Sequence, residues 1–394
     1  MTESNNKLTD TEIGERLRIA REATKLTQAA AADAIGVART TIVALEQGKR
    51  KIRIDELQKL TKLYNTSANA ILRREAIHVD MVPRFRKLAP HTDAAVEVAA
   101  RLLNNLVQAE VELENVLGVV RQSNYPPERP ILPGDVYSQA EQDAQELRDW
   151  LGLGPGPVVD IISILSLQLG LRVYIRPLDA RISGLFAFDD ATGGSILLNA
   201  NHPSSRLKQT AAHELGHFIS TRRIPEIYTE HELFASREER YANAFQRCFL
   251  SPAREIRQRF AEITAGQTHL TRRHVILLAY TFGISREAMV RRLEELKLAK
   301  AGTWDWFSAN GGITDEQAQQ VLGSLPDRNQ YAADAFHLVP QRLSLLAREA
   351  WKQEIYSEGQ LARLLQLDRH EIRELLDGVE MEESEANDLV KLSH

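Results

Sequence analysis

Apolar residues recur every three or four positions between residues 12 and 72, a spacing that predicts a bundle of short helices. The first helix carries Ile13, Leu17 and Ala20 on one stripe. Three further helices are predicted at residues 28–35, 38–45 and 57–64. Gly36 lies in the short turn between the second and third, and helix, glycine turn, helix is the helix-turn-helix arrangement. The second helix of such a pair enters the major groove of DNA.

A longer amphipathic helix is predicted over residues 94–117, where no helix breaker interrupts the pattern. Its apolar stripe consists of Val98, Leu102, Leu106, Ala109, Leu113 and Val116. This stripe is compatible with pairing to a second copy of the chain and, equally, with packing on its own chain. The proline-rich stretch at residues 125–134 predicts a linker, and residues 152–157 form a second break.

The pattern changes to mixed helix and strand after residue 157. A buried helix is predicted over residues 158–169, and three short strands follow at residues 171–175, 184–188 and 195–199. The composition of residues 189–194 is typical of a turn, so the last two strands are expected to form a hairpin. Two more helices are predicted at residues 206–221 and 237–250, and the chain is mostly helical beyond them.

Charge is unevenly distributed along the chain. The 394 residues carry a formal net charge of −5, which excludes a protein that is basic as a whole. Residues 14–53 contain nine basic and four acidic side chains, a local net charge of +5. Since phosphate neutralisation supplies affinity for DNA, this local excess supports DNA binding by the N-terminal helices.

Cys248 is the single cysteine, so an intrachain disulfide and a multi-cysteine zinc site are both excluded. Any metal would therefore be held by histidine and carboxylate. No signal-peptide pattern occupies the first ten residues, and no run approaches about 18 uncharged apolar residues. These features favour a cytoplasmic protein without a membrane partner.

Four segments of the N-terminal region share one resemblance. They are residues 18–21, Leu26-Thr27-Gln28, Ile35-Gly36-Val37 and the run from Ile42 to Arg50. In these segments the chain resembles the XRE-type, lambda-repressor-like helix-turn-helix family, over about sixty residues. The resemblance implies that double-stranded DNA is a partner. The alternative is a helical dimerisation module with a solvated basic face.

The same resemblance assigns DNA contacts to individual residues. Gln28 and Lys49 or Arg50 would contact phosphates. The residues that face bases would be Arg39, Thr40, Val43 and Ala44. Ala38 stands where the family often has a serine, so one common helix cap is missing. Glu46 is expected to be a structural partner, because a carboxylate facing phosphate would repel it.

The pentapeptide His213-Glu214-Leu215-Gly216-His217 has the spacing of a zinc hydrolase site. Residues four apart on a helix share a face, so both imidazoles can point at one metal ion, and Glu214 can reach a water on it. A catalytic zinc site needs a third protein ligand. The downstream candidates are Glu226, Glu230, His231, Glu232, Glu238 and Glu239. Helices hold ligand geometry better than loops do, which leaves Glu238 and Glu239.

Other segments around the pentapeptide share a second resemblance. Downstream are Glu239-Arg240-Tyr241-Ala242-Asn243-Ala244-Phe245 and Leu250-Ser251-Pro252, and upstream are Ser183-Gly184, Ile196-Leu197-Leu198-Asn199 and Thr210-Ala211-Ala212-His213. Together they resemble the ImmA/IrrE family of metallopeptidases across residues 155–265. The resemblance implies that Glu239 is the third ligand beside His213 and His217. The implied metal is Zn²⁺, with Mn²⁺ as the alternative.

The expected reaction is hydrolysis of a peptide bond. Zinc lowers the pKa of its bound water and polarises a carbonyl, while Glu214 takes the proton and passes it to the leaving amine. An extended substrate is expected to add to a strand at the sheet edge, formed by Ile196, Leu197, Leu198 and Asn199. The alternative is a site that binds metal but acts as a sensor or scaffold.

The predicted fold is multidomain. Residues 8–74 form an all-α helix-turn-helix domain, and residues 75–153 form a helical linker region. Residues 154–300 form an α+β zincin-like metallopeptidase domain with a small sheet, and residues 301–394 form a helical C-terminal domain. Residues 356–376 again pair two helices around a turn, but acidic neighbours favour packing or partner binding there over DNA contact.

The leading hypothesis is a DNA-binding transcriptional regulator that cleaves a repressor-type protein and so derepresses genes. A second hypothesis is a transcription factor whose metallopeptidase-like domain senses a ligand or partner without proteolysis. A third is the DNA-binding partner of a toxin or phage-defence module. Helix-turn-helix proteins of this type usually bind DNA as dimers, so a homodimer is compatible with each hypothesis.

Overall fold

The structure, a computed structural model, describes residues 9–64, 66, 71–72, 94–223, 226–229, 236–323 and 340–376. These residues fall into two compact units. The first contains the N-terminal helices and residues 108–120, and the second contains residues 94–107 and the described chain from residue 121 onward. None of the helices in the described ranges has the length and apolar character needed to cross a membrane.

Four helices build the N-terminal unit: α1 (Asp10–Ala23), α2 (Gln28–Ile35), α3 (Arg39–Glu46) and α4 (Ile54–Leu63). The hydroxyls of Thr9 and Thr27 accept backbone N–H groups at the starts of α1 and α2, so both helices begin with a side-chain cap. Ala38 provides no such cap for α3, as the sequence predicts. Gly36 has a φ of 75°, a left-handed conformation that glycine adopts readily, and it turns the chain from α2 into α3.

The apolar faces of these helices meet in one core. Leu17, Ala31, Ile42, Leu45 and Leu60 are almost completely buried in it. Burying these side chains stabilises short helices that would be marginal alone. The predicted all-α helix-turn-helix is confirmed, with α2 and α3 packed against each other.

A buried ion pair connects the helices of this unit. Nε and Nη2 of Arg21 donate to the carboxylate of Glu46 over 2.6 and 3.1 Å. Nε2 of Gln28 donates to the same carboxylate over 2.8 Å. Glu46 is therefore a structural partner, as predicted, and its carboxylate ties α1 and α2 to α3.

Helix α5 (Ala94–Leu117) has the predicted limits. Leu103 and Leu106 are buried on its apolar face. Val98 is 64% exposed, so its predicted place on that stripe is wrong. The buried face runs instead through Ala99, one residue further along the helix.

The second unit combines helices with a four-stranded sheet. After the residues of α5, its next helices are α6 (Val136–Trp150) and the short α7 (Ile161–Ser163), which continues into a π-helical turn (Ile164–Gln168). The strands are β1 (Arg172–Arg176), β2 (Ile182–Asp189), β3 (Gly193–Asn199) and β4 (Glu226–Thr229). The pentapeptide lies in α8 (Ser204–Ser220), between β3 and β4, and α9 (Arg237–Leu250) follows β4.

The sheet has the strand order β1-β3-β2-β4. β3 runs parallel to β1 and antiparallel to β2, with which it forms the predicted hairpin. The prediction that β3 is an open sheet edge is wrong, because it has hydrogen-bonded neighbours on both sides. The four residues expected to receive a substrate strand are fully buried: Ile196, Leu197, Leu198 and Asn199. β4 lies next to β2 and forms that end of the sheet. The sequence did not predict this strand.

Helix α6 packs against α9 and belongs to the core that surrounds α8. Its buried apolar residues are Val136, Ala140, Ala144 and Leu147. The predicted boundary between the linker region and the metallopeptidase domain, at residues 153 and 154, therefore falls inside this core.

The proline-rich segment that predicted a linker is bound to the end of α8. The N–H of Arg129 donates to the carbonyl of Ile219 over 2.7 Å, and Arg222 donates to the carbonyl of Pro126 over 2.8 Å. The guanidinium of Arg222 also lies 4.2 Å from the centre of the Phe218 ring, a cation–π contact. These contacts fix the segment to the helix that carries the pentapeptide.

Helices complete the described chain. They are α10 (Ala253–Ile263), α11 (Arg272–Phe282), α12 (Arg286–Glu295), α13 (Thr303–Ala309), α14 (Asp315–Leu322), α15 (Gln341–Lys352) and α16 (Glu358–Leu365). The hydroxyl of Ser285 caps α12 by accepting the N–H of Ala288 over 3.1 Å. The predicted helical C-terminal region is confirmed for the described residues.

Candidate metal centre

One face of α8 carries a row of polar side chains. Thr210, His213, Glu214 and His217 are spaced three or four residues apart, so they stand one above another on that face. The helix packs against β2 and β3 on one side and against α9 on another. All four side chains are buried as a result.

Helix α9 brings a carboxylate to the two histidines. The Nε2 atoms of His213 and His217 are 3.1 Å apart. Oε2 of Glu239 lies 3.4 Å from Nε2 of His213, and Oε1 lies 3.1 Å from Nε2 of His217. Among the described residues, His213, His217 and Glu239 form the group of His, Cys, Asp or Glu side chains whose ligand atoms lie close enough together to bind one metal ion.

The three side chains fit zinc in the kind and the spacing of their ligand atoms. Two imidazole nitrogens and a glutamate oxygen form the donor set of one class of catalytic zinc site. With zinc–ligand bonds of about 2.0–2.1 Å, a tetrahedral site separates its ligand atoms by about 3.3 Å. The observed separations of 3.1 to 3.4 Å are close to that value, and the two distances to Glu239 are measured to different oxygens of its carboxylate. Three protein ligands leave a fourth position for water or substrate.

Burial and mutual contact favour the protonation states that a metal requires. Desolvation is the largest effect at His213, and it lowers the pKa of the imidazole. The neutral ring that results offers a lone pair. Burial acts to raise the pKa of Glu239, but hydrogen bonds and charges from His213 and His217 together lower it. The carboxylate is therefore ionised at neutral pH, as a ligand for a divalent cation must be.

Glu214 lies against β2, where Gly184 leaves room for it. A Cβ built on Gly184 would lie 2.8 Å from Oε1 of Glu214 and 2.7 Å from Cγ2 of Thr210. Both distances are well inside van der Waals contact, so a side chain at this position would displace its neighbours. The absence of a side chain at Gly184 therefore lets α8 approach β2 closely beside the catalytic candidate.

Two polar residues next to the ligands were not predicted from the sequence. The side chain of Asn243 acts to raise the pKa of the His213 imidazole. Oγ1 of Thr221 lies 3.5 Å from Nδ1 of His217. Asn243 follows Glu239 by one helical turn, and Thr221 follows His217 by one turn, so the spacing was a signal that could have found both.

The remaining candidates for the third ligand have other positions. Glu238 precedes Glu239 on α9 but is not a member of the cluster. Glu226 belongs to β4. Three candidates, Glu230, His231 and Glu232, lie outside the described residues. The hydroxyl of Ser236 accepts the N–H of Glu239 over 3.1 Å and so caps the start of α9.

The residues expected to face bases lie along the outer side of α3. Arg39 and Thr40 are exposed at its start, and Val43 and Ala44 are partly exposed further along. Lys49, expected at a phosphate, is exposed just beyond the end of the helix. Helix α3, which would enter the groove, therefore carries the four predicted side chains on one side.

Two of the residues expected to contact phosphates form hydrogen bonds within the protein instead. The amide of Gln28 donates to Glu46. Both terminal nitrogens of Arg50 donate to the carboxylate of Glu56 over 3.0 and 2.9 Å. Each of these bonds competes with a phosphate for the same donors, so the exposed Lys49 is the stronger candidate.

Comparison with known families agrees with the two units. Residues 12–73 match the model of a helix-turn-helix domain, and residues 167–294 match the model of the IrrE N-terminal-like domain. The chain joins a helix-turn-helix domain to an IrrE N-terminal-like domain. The helix-turn-helix match covers α1 to α4. The IrrE N-terminal-like domain, which is metallopeptidase-like, contains all the residues of the cluster, so the predicted fusion is confirmed.

Comparisons of the whole chain with curated proteins and solved structures give no similarity that supports a functional statement. No curated protein gives a significant match. Among solved structures, the apo form of the competence regulator ComR from Streptococcus vestibularis is similar at 10% identity, over 97% of this chain and 100% of that chain. The TM-score is 0.16, a value at which the similarity supports no statement about fold or function.

Proposed function

We propose that the chain is a cytoplasmic DNA-binding transcriptional regulator in which the IrrE N-terminal-like domain is a zinc metallopeptidase. The observation that carries this proposal is the convergence of His213, His217 and Glu239 on one point, with separations of 3.1 to 3.4 Å. The substrate is a repressor-type protein, whose cleavage derepresses the genes that it controls. A DNA-binding domain on the same chain favours such a regulatory target over general digestion.

His213, His217 and Glu239 would hold the metal. When bound, zinc lowers the pKa of a water ligand toward neutrality and polarises a carbonyl group. Glu214, beside His213 on the same face of α8, accepts a proton from the attacking water and delivers it to the leaving amine. Because Glu214 is fully buried, bulk water does not compete for that proton.

The helix-turn-helix domain would place α3 in the major groove of double-stranded DNA. The side chains directed at base edges would be Arg39, Thr40, Val43 and Ala44. Lys49 would contact a phosphate. Gln28 and Arg50 would first have to leave the carboxylates that they bind in the free protein.

An extended substrate would bind along β4. This strand forms the end of the sheet next to β2, and Tyr228 pairs with Gly184, the residue beside Glu214. The outer side of an edge strand offers backbone donors and acceptors to a peptide. β1, at the other end of the sheet, is separated from β2 by β3.

The test is co-expression of the chain with a candidate repressor encoded next to it. The wild type should release a fragment of the repressor. Glu214→Gln should release none while retaining zinc by elemental analysis, and His213→Ala should lose both the fragment and the metal. A fragment from Glu214→Gln would reject the mechanism, and a full metal complement in His213→Ala would reject the ligand assignment.

A second candidate function is sensing of a ligand or partner without proteolysis. The complete burial of His213, Glu214 and His217 favours it, since a closed site can hold a metal without admitting a peptide. In that case the wild type binds zinc and cleaves no repressor, and Glu214→Gln regulates as the wild type does. A reporter gene under the control of the regulated promoter, compared between these two proteins, separates the candidates.

A further inference from the structure

Strand β2 contains a bulge beside the catalytic candidate. In its antiparallel pairing with β4, Ile182 lies opposite Thr229 and Gly184 lies opposite Tyr228. Two steps along β2 thus correspond to one step along β4, and Ser183 is the extra residue. Since an extra residue stands outside the regular ladder, contacts with other elements must define its conformation.

Helix α8 provides such a contact. Nη2 of Arg206 donates a hydrogen bond to the hydroxyl of Ser183 over 2.9 Å. The guanidinium carries a positive charge and Ser183 is fully buried, so the bond is charge-assisted and its acceptor is removed from water. Arg206 is itself partly buried, in the first turn of α8. The bulge is therefore fastened to the helix that carries Glu214.

The bulge directs two successive residues of β2 toward α8. A regular strand points successive side chains to opposite faces. Here the hydroxyl of Ser183 reaches Arg206, and a Cβ on Gly184 would lie 2.8 Å from Oε1 of Glu214. Arg206, Thr210 and Glu214 are spaced four residues apart on α8. One face of the helix therefore contacts both positions of the strand.

A strand without the bulge would bring a different residue to Glu214. Side chains alternate along a strand with a period of two, so a shift of one residue moves each of them to the other face. Gly184 would then turn away from α8, and a residue with a side chain would take its place. Because the position beside Oε1 of Glu214 has no room for a Cβ, the carboxylate would be displaced.

We propose that the hydrogen bond from Arg206 to Ser183 holds the bulge of β2 and so keeps Gly184 beside Glu214. Arg206 is a positioning residue, since it acts on the general base through β2. The three candidate metal ligands lie on α8 and α9 and do not depend on this bond. The consequence for catalysis rests on the proposed function.

The first experiment measures cleavage of the candidate repressor encoded next to the chain, by the zinc-loaded full chain. Arg206→Met keeps the length of the side chain and removes the donor, so kcat should fall about tenfold as the carboxylate moves. KM should stay within about threefold, because the outer side of β4 remains available to substrate. Arg206→Lys keeps a cationic donor and should recover kcat to within about threefold of the wild type. The zinc affinity should be the same in all three proteins.

A double-mutant cycle tests whether the two residues act through one bond. Ser183→Ala should lower kcat about as much as Arg206→Met does. The double variant should lose no more than either single variant, because each removes the same hydrogen bond. If the two losses multiply instead, the residues act independently and the proposal is overturned.

Arg181→Met is the matched control. Arg181 immediately precedes β2, is exposed and pairs with Asp179 over 3.0 Å. Its replacement makes the same chemical change two residues before Ser183 but leaves the bond to α8 intact. Both kcat and KM should equal those of the wild type.

A second measurement reports the bulge and needs neither metal nor substrate. Cγ2 of Thr210 lies 2.7 Å from the position that a Cβ on Gly184 would occupy, so this methyl group is close to the glycine. In the full chain, a nuclear Overhauser effect should connect the Thr210 methyl group to the α-protons of Gly184. It should disappear in Arg206→Met and Ser183→Ala, and it should persist in Arg206→Lys and Arg181→Met.

The outcomes separate this proposal from the proposed function. If the wild type cleaves no repressor, the metallopeptidase is rejected, and the Overhauser effect still decides whether Arg206 holds the bulge. If Arg206→Met retains both the effect and the kcat of the wild type, the positioning role is rejected and the metallopeptidase stands. If it loses the effect but keeps kcat, Arg206 holds the bulge without positioning Glu214, which also overturns the proposal. Should Arg206→Met lose the circular dichroism of the wild type, Ser183→Ala provides the same comparisons.

Discussion

In the N-terminal unit, a buried carboxylate accepts hydrogen bonds from donors, whereas the metal centre brings together buried side chains that can all act as metal ligands. Arg21 donates twice to Glu46, over 2.6 and 3.1 Å. In the metal centre the Nε2 atoms of His213 and His217 lie 3.1 Å apart, and each lies 3.1 to 3.4 Å from one oxygen of Glu239. The first arrangement pairs opposite charges, and the second assembles groups that would all bind the same cation.

This difference separates a structural network from a ligand site. A network of donors and acceptors satisfies its own buried polar groups. Acceptors that converge are favourable when a cation lies between them. The second unit also contains a network of the first kind, in which Arg292 donates to both oxygens of Glu141 over 2.7 Å and Sγ of Cys248 donates to one of them over 3.1 Å.

The largest expected effect concerns the reactivity of the Cys248 thiol. It tests whether the hydrogen-bond network of Cys248, Glu141 and Arg292 is closed to reagents. Burial raises the pKa of its thiol to about 12. At pH 8 the thiolate fraction is then lower than that of a free cysteine by about three orders of magnitude. A chromogenic disulfide reagent should therefore react about 10³-fold more slowly with the native chain than with the chain in denaturant. Equal rates would show a thiol that is available to reagents and metals.

Breaking the network of the N-terminal unit should have the next largest effect. Arg21→Met removes the ionic partner of Glu46 and leaves a nearly buried carboxylate, which costs on the order of 3 kcal/mol. Hydrogen exchange of the amides in α1 to α3 should accelerate by about 100-fold in the full chain. Exchange in α8, which belongs to the other unit, should not change.

Two controls accompany this variant. Arg18 pairs with Glu15 at the exposed surface, so Arg18→Met should leave the exchange rates unchanged. Combining Arg21→Met with Glu46→Leu replaces the buried pair by apolar side chains and should recover most of the lost stability. If Arg21→Met alone exchanges like the wild type, the network does not stabilise the unit.

The smallest effect concerns packing beside the metal centre. Gly184→Ala would place a methyl group 2.8 Å from Oε1 of Glu214, so the carboxylate must move. We expect cleavage of the repressor to fall about tenfold through this displacement. The affinity for zinc should not change, because Glu214 is not a ligand. Gly156→Ala is the matched control, since a Cβ there meets no atom within 4 Å. Equal cleavage by the two variants would contradict the role of Gly184.

Helices that carry the candidate sites were predictable because their signals are local. The limits of α5 and α9 were predicted to the residue. The turn at Gly36 is a short-range signal of the same kind. Each depends on residues within one or two turns of a helix, so the surrounding fold has little influence on them.

The sheet was only partly predictable. Short apolar runs next to turn residues located β1, β2 and β3, but β4 has four residues and was not recognised. Residues 195–199 were predicted to form an edge strand. Nothing in their own sequence shows which strands pair with them. Strand order is set by contacts between distant segments, here the parallel pairing of β1 with β3.

By itself, the sequence determined the two types of domain and the shared helical face of His213 and His217, because regular spacing acts between residues close along the chain. Only the tertiary structure decided that Glu239 lies within 3.4 Å of both and that Gly184 makes room for Glu214. These features depend on how α8 packs against β2 and α9. Packing joins side chains that are far apart in sequence, and no local pattern encodes which of them will meet.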